Sequence, residues 1–524
     1  MLQFIKSMWS RSLLILILST FPFAFSSAQT GDPYFYYTLS VPDPAAHVYH
    51  VQLGTTGWDQ DTVLFMMPTW MPGYYQKMDY AGDVLNMVAE DEHETGIPLN
   101  KVDNHTWQVT DVRNKVFIID YDIRTKRQFV ANSFVDSLHA YIIPENTFLF
   151  VEGHIGTPVF VEIDNNPAWK NKVTGLKLVQ GPSSIYRAPD FDVLYDSPFL
   201  LGNLDELPSF KVRGIEHRFV GYNIGKFDET GFINTLKTVV ESAVDIIGDI
   251  PYERYTFIAI GPGRGGIEHL NNTTICFRGS QLDSEQGMYR MMNFLAHEYF
   301  HNYNVKRIRP FELGPFDYIN GSRTNMLWVS EGLSVYYEYL ITNRAGLSGD
   351  SVLLKSFEQH INTLENNPGR MYQSLVQVSY QTWEDGPFGN QGENKGKTIS
   401  YYEKGPVVGL LLDFAIRHDT QNERSLDNVM QFLYREYYKK RQRGFTDAEF
   451  QQVCETIAGV PLTTLFEYVY TTEQLDYNTY LNYAGLELKA TEVDPQKKNY
   501  TIERIKNPSP LQETILNSWL GNHQ

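Results

Sequence analysis

Cysteine is nearly absent from this chain: only Cys276 and Cys454 occur in 524 residues, far apart and outside any CxxC pair. That scarcity excludes a disulfide framework and a cysteine-rich zinc site, so any metal must be held by histidine and carboxylates. Positive charge is also short. Lys and Arg number 44 against 62 Asp and Glu, for a formal charge of −18, which argues against nucleic acid and anionic membrane surfaces as partners. Long apolar runs are missing too. Residues 13–25 form a run of about 13 residues where a bilayer span needs about 20. The run follows Lys6 and Arg11 and ends in Ser26-Ser27-Ala28, the pattern of a cleavable secretory signal peptide over residues 1–28. The expected product is an exported protein, periplasmic or secreted, with no membrane span after signal cleavage. Phosphate-binding signatures are lacking as well, since the glycines of 261–266 match neither GxGxxG nor a P-loop.

What the chain does contain is a composition suited to packed cores, 42% hydrophobic and 14% aromatic, over a length that suggests about three domains. From residue 32 to about 208, short β-type runs at 34–41, 47–53, 62–66 and 116–123 are punctuated by Pro, Gly, Asn and Asp, which reads as an all-β domain. Two prolines keep Pro68-Thr69-Trp70-Met71-Pro72-Gly73-Tyr74-Tyr75 out of a central strand. An ordered turn is expected there, with Trp70 and the tyrosines packed in the core. Beyond Asp205 the texture changes to a helix over 227–247, a strand over 255–260, a glycine-rich turn and a strand leading to Glu268. Helical periodicity dominates from Lys404 to about Tyr470, over 406–416, 425–440 and 446–457, with a break at Gly444.

The most specific pattern is His297-Glu298-Tyr299-Phe300-His301, an HExxH on an apolar-periodic segment. On a helix, positions i and i+4 lie on one face, so both imidazoles can address one Zn²⁺ with Glu298 beside its open position. A third ligand is needed, and the downstream carboxylates are Glu312, Asp317, Glu331 and Glu338. Glu331 sits 30 residues after His301, on a second apolar-periodic segment that should form a helix antiparallel to the first. Leu327 and Val335 on its own face place its carboxylate toward the packed side, where it must be paired or bound to metal. Glu312 lies between Pro310 and Pro315, where a regular helix is disfavoured.

Taken together, Gly265-Gly266-Ile267-Glu268-His269, the HExxH with its tail Asn304-Val305-Lys306-Arg307-Ile308-Arg309-Pro310, Trp328 to Gly332, and Tyr402-Glu403-Lys404-Gly405 resemble the glycyl aminopeptidase family of gluzincins. The likeness extends to 68–75, Asp196-Ser197-Pro198 and Ser425-Leu426-Asp427. It implies a multidomain α+β fold: an N-terminal all-β domain over 29–208, a thermolysin-like zinc catalytic domain over 209–345 and a C-terminal helical domain over 346–485. Residues 486–524 form an extension too short for the complete PDZ domain that often ends this family. The resemblance makes His297, His301 and Glu331 the ligands of one zinc and Glu298 the general base. It gives Tyr402 the tetrahedral intermediate, and Glu268 with Gly265 and Gly266 the substrate, Glu268 taking its free α-amine. His269 stands where the wider superfamily has Asn. The implied activity is removal of N-terminal Gly or Ala from peptides with a free N-terminus. A zinc endopeptidase and an inactive peptide-binding homologue are the alternatives.

Overall fold

The computed structural model describes residues 33–522 except 165, 180–183 and 496; the signal-peptide reading of 1–28 lies outside them. Among the described residues, no helix is long and apolar enough to cross a membrane.

The N-terminal region is built on strands, as its alternating pattern requires. Eight of them form one sheet in the order Lys177–Leu178, Ile185–Ala188, Val159–Ile163, Tyr34–Ser40, Val48–Thr56, Phe117–Arg124, Val84–Asp91 and Gly96–Ile97. Its pairs are antiparallel except Tyr34–Ser40 with Val159–Ile163. A three-stranded and a four-stranded sheet complete the layer. Period-two alternation sends Phe35, Tyr37 and Leu39 into a core shared with Val51, Leu53 and Ile119. Short helical turns interrupt the strands, among them a one-turn helix, Phe191–Tyr195, capped by Asp190, whose side chain accepts from Val193 N. It delivers Asp196 to the next region.

A further, six-stranded sheet begins near residue 205. Four of its strands, β1 (Ile215–Gly221), β2 (Arg254–Ala259), β3 (Gly266–Glu268) and β4 (Asn272–Ile275), are ordered β1-β2-β4-β3; β1–β2 and β2–β4 are parallel, β3 is an edge strand antiparallel to β4, and Asp205–Glu206 and Phe210–Val212 pair antiparallel with β1. This sheet is buried on both faces. Phe219, Phe257 and Ile275 pack on helices, whereas Val220, Ile258, Ile260 and Ile267 join the core of the N-terminal β region. The helices are α1 (Glu229–Ile247) and α2 (Glu285–Phe300), the latter carrying the HExxH residues.

A mostly helical region follows: α3 (Leu333–Arg344), α4 (Asp350–Glu365), α5 (Leu375–Asp385), α6 (Tyr401–Asp419) and shorter helices to Asn482. Apolar residues surround α6 on all sides, as a central buried helix demands. The helix Leu426–Leu433 is capped by Ser425 together with Asn428, whose Oδ1 accepts from Ser425 N at 2.9 Å.

The C-terminal segment is integrated into this region. Its hairpin, Leu486–Asp494 with Lys497–Arg504, bonds to α4 through Asn362, Asn366 and Glu358. Its final helix, α7 (Pro510–Trp519), buries Trp519 completely against Phe357 and Phe414, and the indole N–H donates to Tyr336 Oη at 3.0 Å. Tyr336 lies on α3, two residues before Glu338. Removing a buried Trp side chain costs about 3–5 kcal/mol, so Trp519→Ala should lower the urea midpoint of the helical region clearly; an unchanged midpoint would mean that α7 is dispensable for stability.

Candidate active site

The catalytic geometry starts from the pairing of α2 with α3. Contacts step in opposite directions along the two chains: Asn304 with Ser330, His301 with Ser334, His297 with Glu338 and Asn293 with Thr342. The helices are therefore antiparallel, as the spacing suggests. The start of the second one differs from expectation. Residues Trp328–Gly332 form a π-helical turn, in which Leu333 N–H donates to Trp328 O, before α3 becomes regular. Such turns cluster at functional sites because they re-aim one side chain within a helix, and the residue held in this turn is Glu331.

Three ligand-type side chains converge there. His297 Nε2 and His301 Nε2 lie 2.9 Å apart, and Glu331 Oε2 is 3.6 Å from the first and 3.4 Å from the second. All three residues are buried. The outer nitrogens of both rings face acceptors: His301 Nδ1 is 2.7 Å from Asn304 O, and His297 Nδ1 is 2.8 Å from Glu338 Oε2. Protons placed on Nδ1 leave both Nε2 lone pairs facing each other and a carboxylate. A bound cation relieves that arrangement, and two nitrogens with one oxygen fit a zinc site with an open position. Glu338 thus orients His297. It is held in turn by Asn293, which donates to Oε1 and accepts from Thr342. The remaining candidates lie elsewhere, Glu312 accepting from Thr324 and Asp317 from the backbone of Ile319 and Asn320.

Tyr402 lies in the first turn of α6, and its hydroxyl donates to Glu331 Oε2 at 3.0 Å. The approach depends on two glycines. A Cβ on Gly332 would lie 2.7 Å from Gly405 Cα, and one on Gly405 equally close to Gly332 Cα, so only this pair lets α6 reach the π turn. Phe388, largely exposed, stacks on Tyr402 with ring centres 5.5 Å apart.

Glu298 lies on the strand side of α2, 5% exposed, and accepts weakly from Thr273 Oγ1 at 3.3 Å. Burial pushes its carboxyl up, His297 and His301 pull it down, and Glu268 and Glu331 push it up again, leaving it at about 7. Strand β3 runs directly over it: a Cβ on Gly266 would meet Glu298 Oε1 at 2.4 Å. Gly265, with φ +100, starts this approach, and its carbonyl accepts from Cys276 N.

Glu268 ends β3, 4% exposed, and its Oε1 has no hydrogen-bond partner among the described residues. Its strand end is clamped from two sides. Asp196 Oδ1 lies 3.1 Å from His269 Nδ1 and 2.8 Å from Lys306 Nζ, while Oδ2 accepts from Leu270 N. Burial opposes the Asp196 charge, but Lys306 and His269 hold its carboxyl below the usual range. This gives the Asp-Ser-Pro and Asn-Val-Lys segments a shared physical task.

Residues 68–75 enter the site from the N-terminal β region, a role not assigned from sequence. Trp70 and Tyr75 are buried, as expected for core packing. Trp70 N–H also donates to Asp317 O at 2.7 Å, and its ring packs edge-on against Trp383 of α5. Gly73, φ +96, abuts Glu268: a Cβ there would lie 2.8 Å from Oε2. Tyr75 sits within the field of both Glu331 and Glu268, which with burial raises its hydroxyl well above the ordinary range. The two prolines and Gly73 in the sequence were the available signal. A cleft of about 840 Å³ around Lys172, Arg218 and Glu253 contains none of these residues.

A methyl group at position 266 must displace Glu298. Gly266→Ala should therefore lower kcat by about 100-fold or more, the scale for a displacement of about 1 Å, with circular dichroism unchanged. Normal turnover would show that Glu298 can relax freely.

Relatives agree with this architecture. The N-terminal domain of peptidase M61 matches residues 36–203, and the M61 glycyl aminopeptidase domain matches 290–408. No curated protein matches the chain. Among solved structures, an aminopeptidase N family protein from Idiomarina loihiensis is 25% identical with a TM-score of 0.82, covering 88% of this chain and 80% of that one. An M1 zinc metallopeptidase from Deinococcus radiodurans, a mutant bound to a Tyr-Ser-Ala substrate, is 13% identical with a TM-score of 0.50 over 84% of this chain and 94% of its own. Yeast LTA4 hydrolase in complex with bestatin is 14% identical with a TM-score of 0.53, over 87% and 70%. The last two likenesses concern the fold. With the two M61 domains matched in order over more than half of its length, the chain belongs to the M61 glycyl aminopeptidase family of peptidases.

Proposed function

We propose that this peptidase is an aminopeptidase that holds one zinc ion per chain on His297, His301 and Glu331 and removes small N-terminal residues, Gly or Ala, from peptides. The observation that carries the exopeptidase reading is Glu268. A buried carboxylate oxygen without a partner is costly, and this one lies on the edge strand that passes over Glu298. A substrate ammonium supplies the missing charge-assisted bond and sets cleavage one residue from the N-terminus. The preference for Gly or Ala rests on the family likeness. Export of the chain belongs to the same proposal and rests on residues 1–28.

Zinc, when bound, polarises the scissile carbonyl and makes water a nucleophile near neutral pH. Glu298 accepts the proton of the attacking water on its carboxylate and passes it to the leaving amine. Its raised carboxyl suits both halves of that transfer. The Tyr402 hydroxyl, donated to Glu331 at rest, is positioned to donate to the oxyanion. The Glu338 carboxylate keeps the His297 proton on Nδ1, and Asn304 does the same for His301.

Two substitutions divide these roles. Glu298→Gln should retain zinc and lose turnover by several orders of magnitude, because an amide cannot accept the proton. With the parent protein, N-acetylation of a Gly- or Ala-terminated peptide should abolish cleavage, and Glu268→Ala should lower kcat/KM for the free-amine peptide by a factor of about 30 or more. Equal cleavage of the acetylated and free peptides would refute the amine anchor and leave an endopeptidase.

A further inference from the structure

One face of α2 carries residues that none of these roles uses. Gly287, Arg290, Met291 and Phe294 border, with 263–265, Cys276 and residues near the start of the helix, an open cleft of about 510 Å³. These α2 positions follow helical spacing, and Glu298 continues the stripe one turn beyond Phe294. The opposite wall also joins the site, since Gly265 leads into Gly266, the residue lying against Glu298.

The order of residues along β3 gives this cleft a direction. Glu268 marks the amino end of a bound peptide, and Glu298 stands against Gly266. A substrate lying along the edge strand therefore carries its leaving half past Gly265 and into the cleft. The distances suit a short leaving group. At 1.5 Å rise per residue, Arg290 lies about 12 Å along α2 from Glu298, and an extended peptide covers about 3.3–3.6 Å per residue. Two or three residues beyond the scissile bond bring a C-terminus within reach of the arginine side chain.

Charge completes the argument. Arg264 and Arg290 are exposed in this cleft, and neither has an ion-pair partner among the described residues. Asp283 is the one acidic side chain lining the cleft with them, which leaves it cationic in a chain whose formal charge is −18. Guanidinium forks match carboxylates in geometry and charge.

We infer that this cleft is a leaving-side subsite in which Arg264 and Arg290 bind the α-carboxylate of tri- and tetrapeptides. The inference rests on the aminopeptidase reading and narrows its substrates to short peptides with a free C-terminus. It is tested by comparing kcat/KM for Ala-Ala-Ala as the free acid, the C-terminal amide and the N-acetylated acid. The free acid should exceed the amide by about tenfold or more, the scale of a charge-assisted hydrogen bond. That ratio should fall toward one in Arg264→Gln/Arg290→Gln, return in part in Arg264→Lys/Arg290→Lys, and shrink with added salt. A ratio near one in the parent, or a ratio the double glutamine variant does not change, would overturn the subsite. The acetylated peptide keeps the two readings apart: its cleavage would overturn the amine anchor, whereas the acid-to-amide ratio reports on the cleft alone.

Discussion

Two imidazole nitrogens 2.9 Å apart, with a carboxylate oxygen 3.4 Å and 3.6 Å away, make an arrangement that a buried site without a cation resists. Its cost is desolvation of the carboxylate and repulsion between lone pairs. The neighbouring elements are arranged to impose it. Asn304 fixes His301 through its carbonyl and the π turn through its side-chain amide, which donates to Val329 O and Ser330 O. Glu338, Asn293 and Thr342 fix His297 from the other end of the same helix pair. The α2–α3 pair thus holds His297, His301 and Glu331 as a cluster that could bind a metal ion, and the apolar stretches of both helices support it.

Around it, the site is assembled by close approach. Gly266 brings the edge strand onto Glu298, Gly332 and Gly405 bring α6 onto the π turn, and Gly73 brings a loop of the N-terminal β region onto Glu268. Each contact brings together side chains from different parts of the chain. Asp196 and Lys306 then lock the end of β3, so that the position of Glu268 depends on both the β region and the segment after the HExxH helix.

The parts legible in the sequence are those written in local periodicity or short motifs. The strands at 62–66 and 117–124, helix α1, and the HExxH helix followed by Glu331 all follow from apolar spacing. The contribution of 68–75 was not legible, because its partners lie far away in the chain: Trp70 bonds to Asp317 across 247 residues. The π turn was hidden for a different reason, since one extra residue in a helical turn leaves the apolar pattern on either side intact. The docking of the C-terminal segment was equally hidden. Trp519 stands in an ordinary amphipathic helix, and its burial depends on a gap beside Phe357, Phe414 and Tyr336 that no local pattern describes.

The central claim is that the α2–α3 frame exists to hold a metal on His297, His301 and Glu331. Anomalous diffraction at the zinc edge from crystals of the full chain tests it most directly. The account predicts one zinc peak per chain, bonded to Nε2 of both histidines and to a Glu331 oxygen, and absent from His297→Ala crystals grown with zinc. A peak on other ligands, or an undiminished peak in that variant, would contradict it.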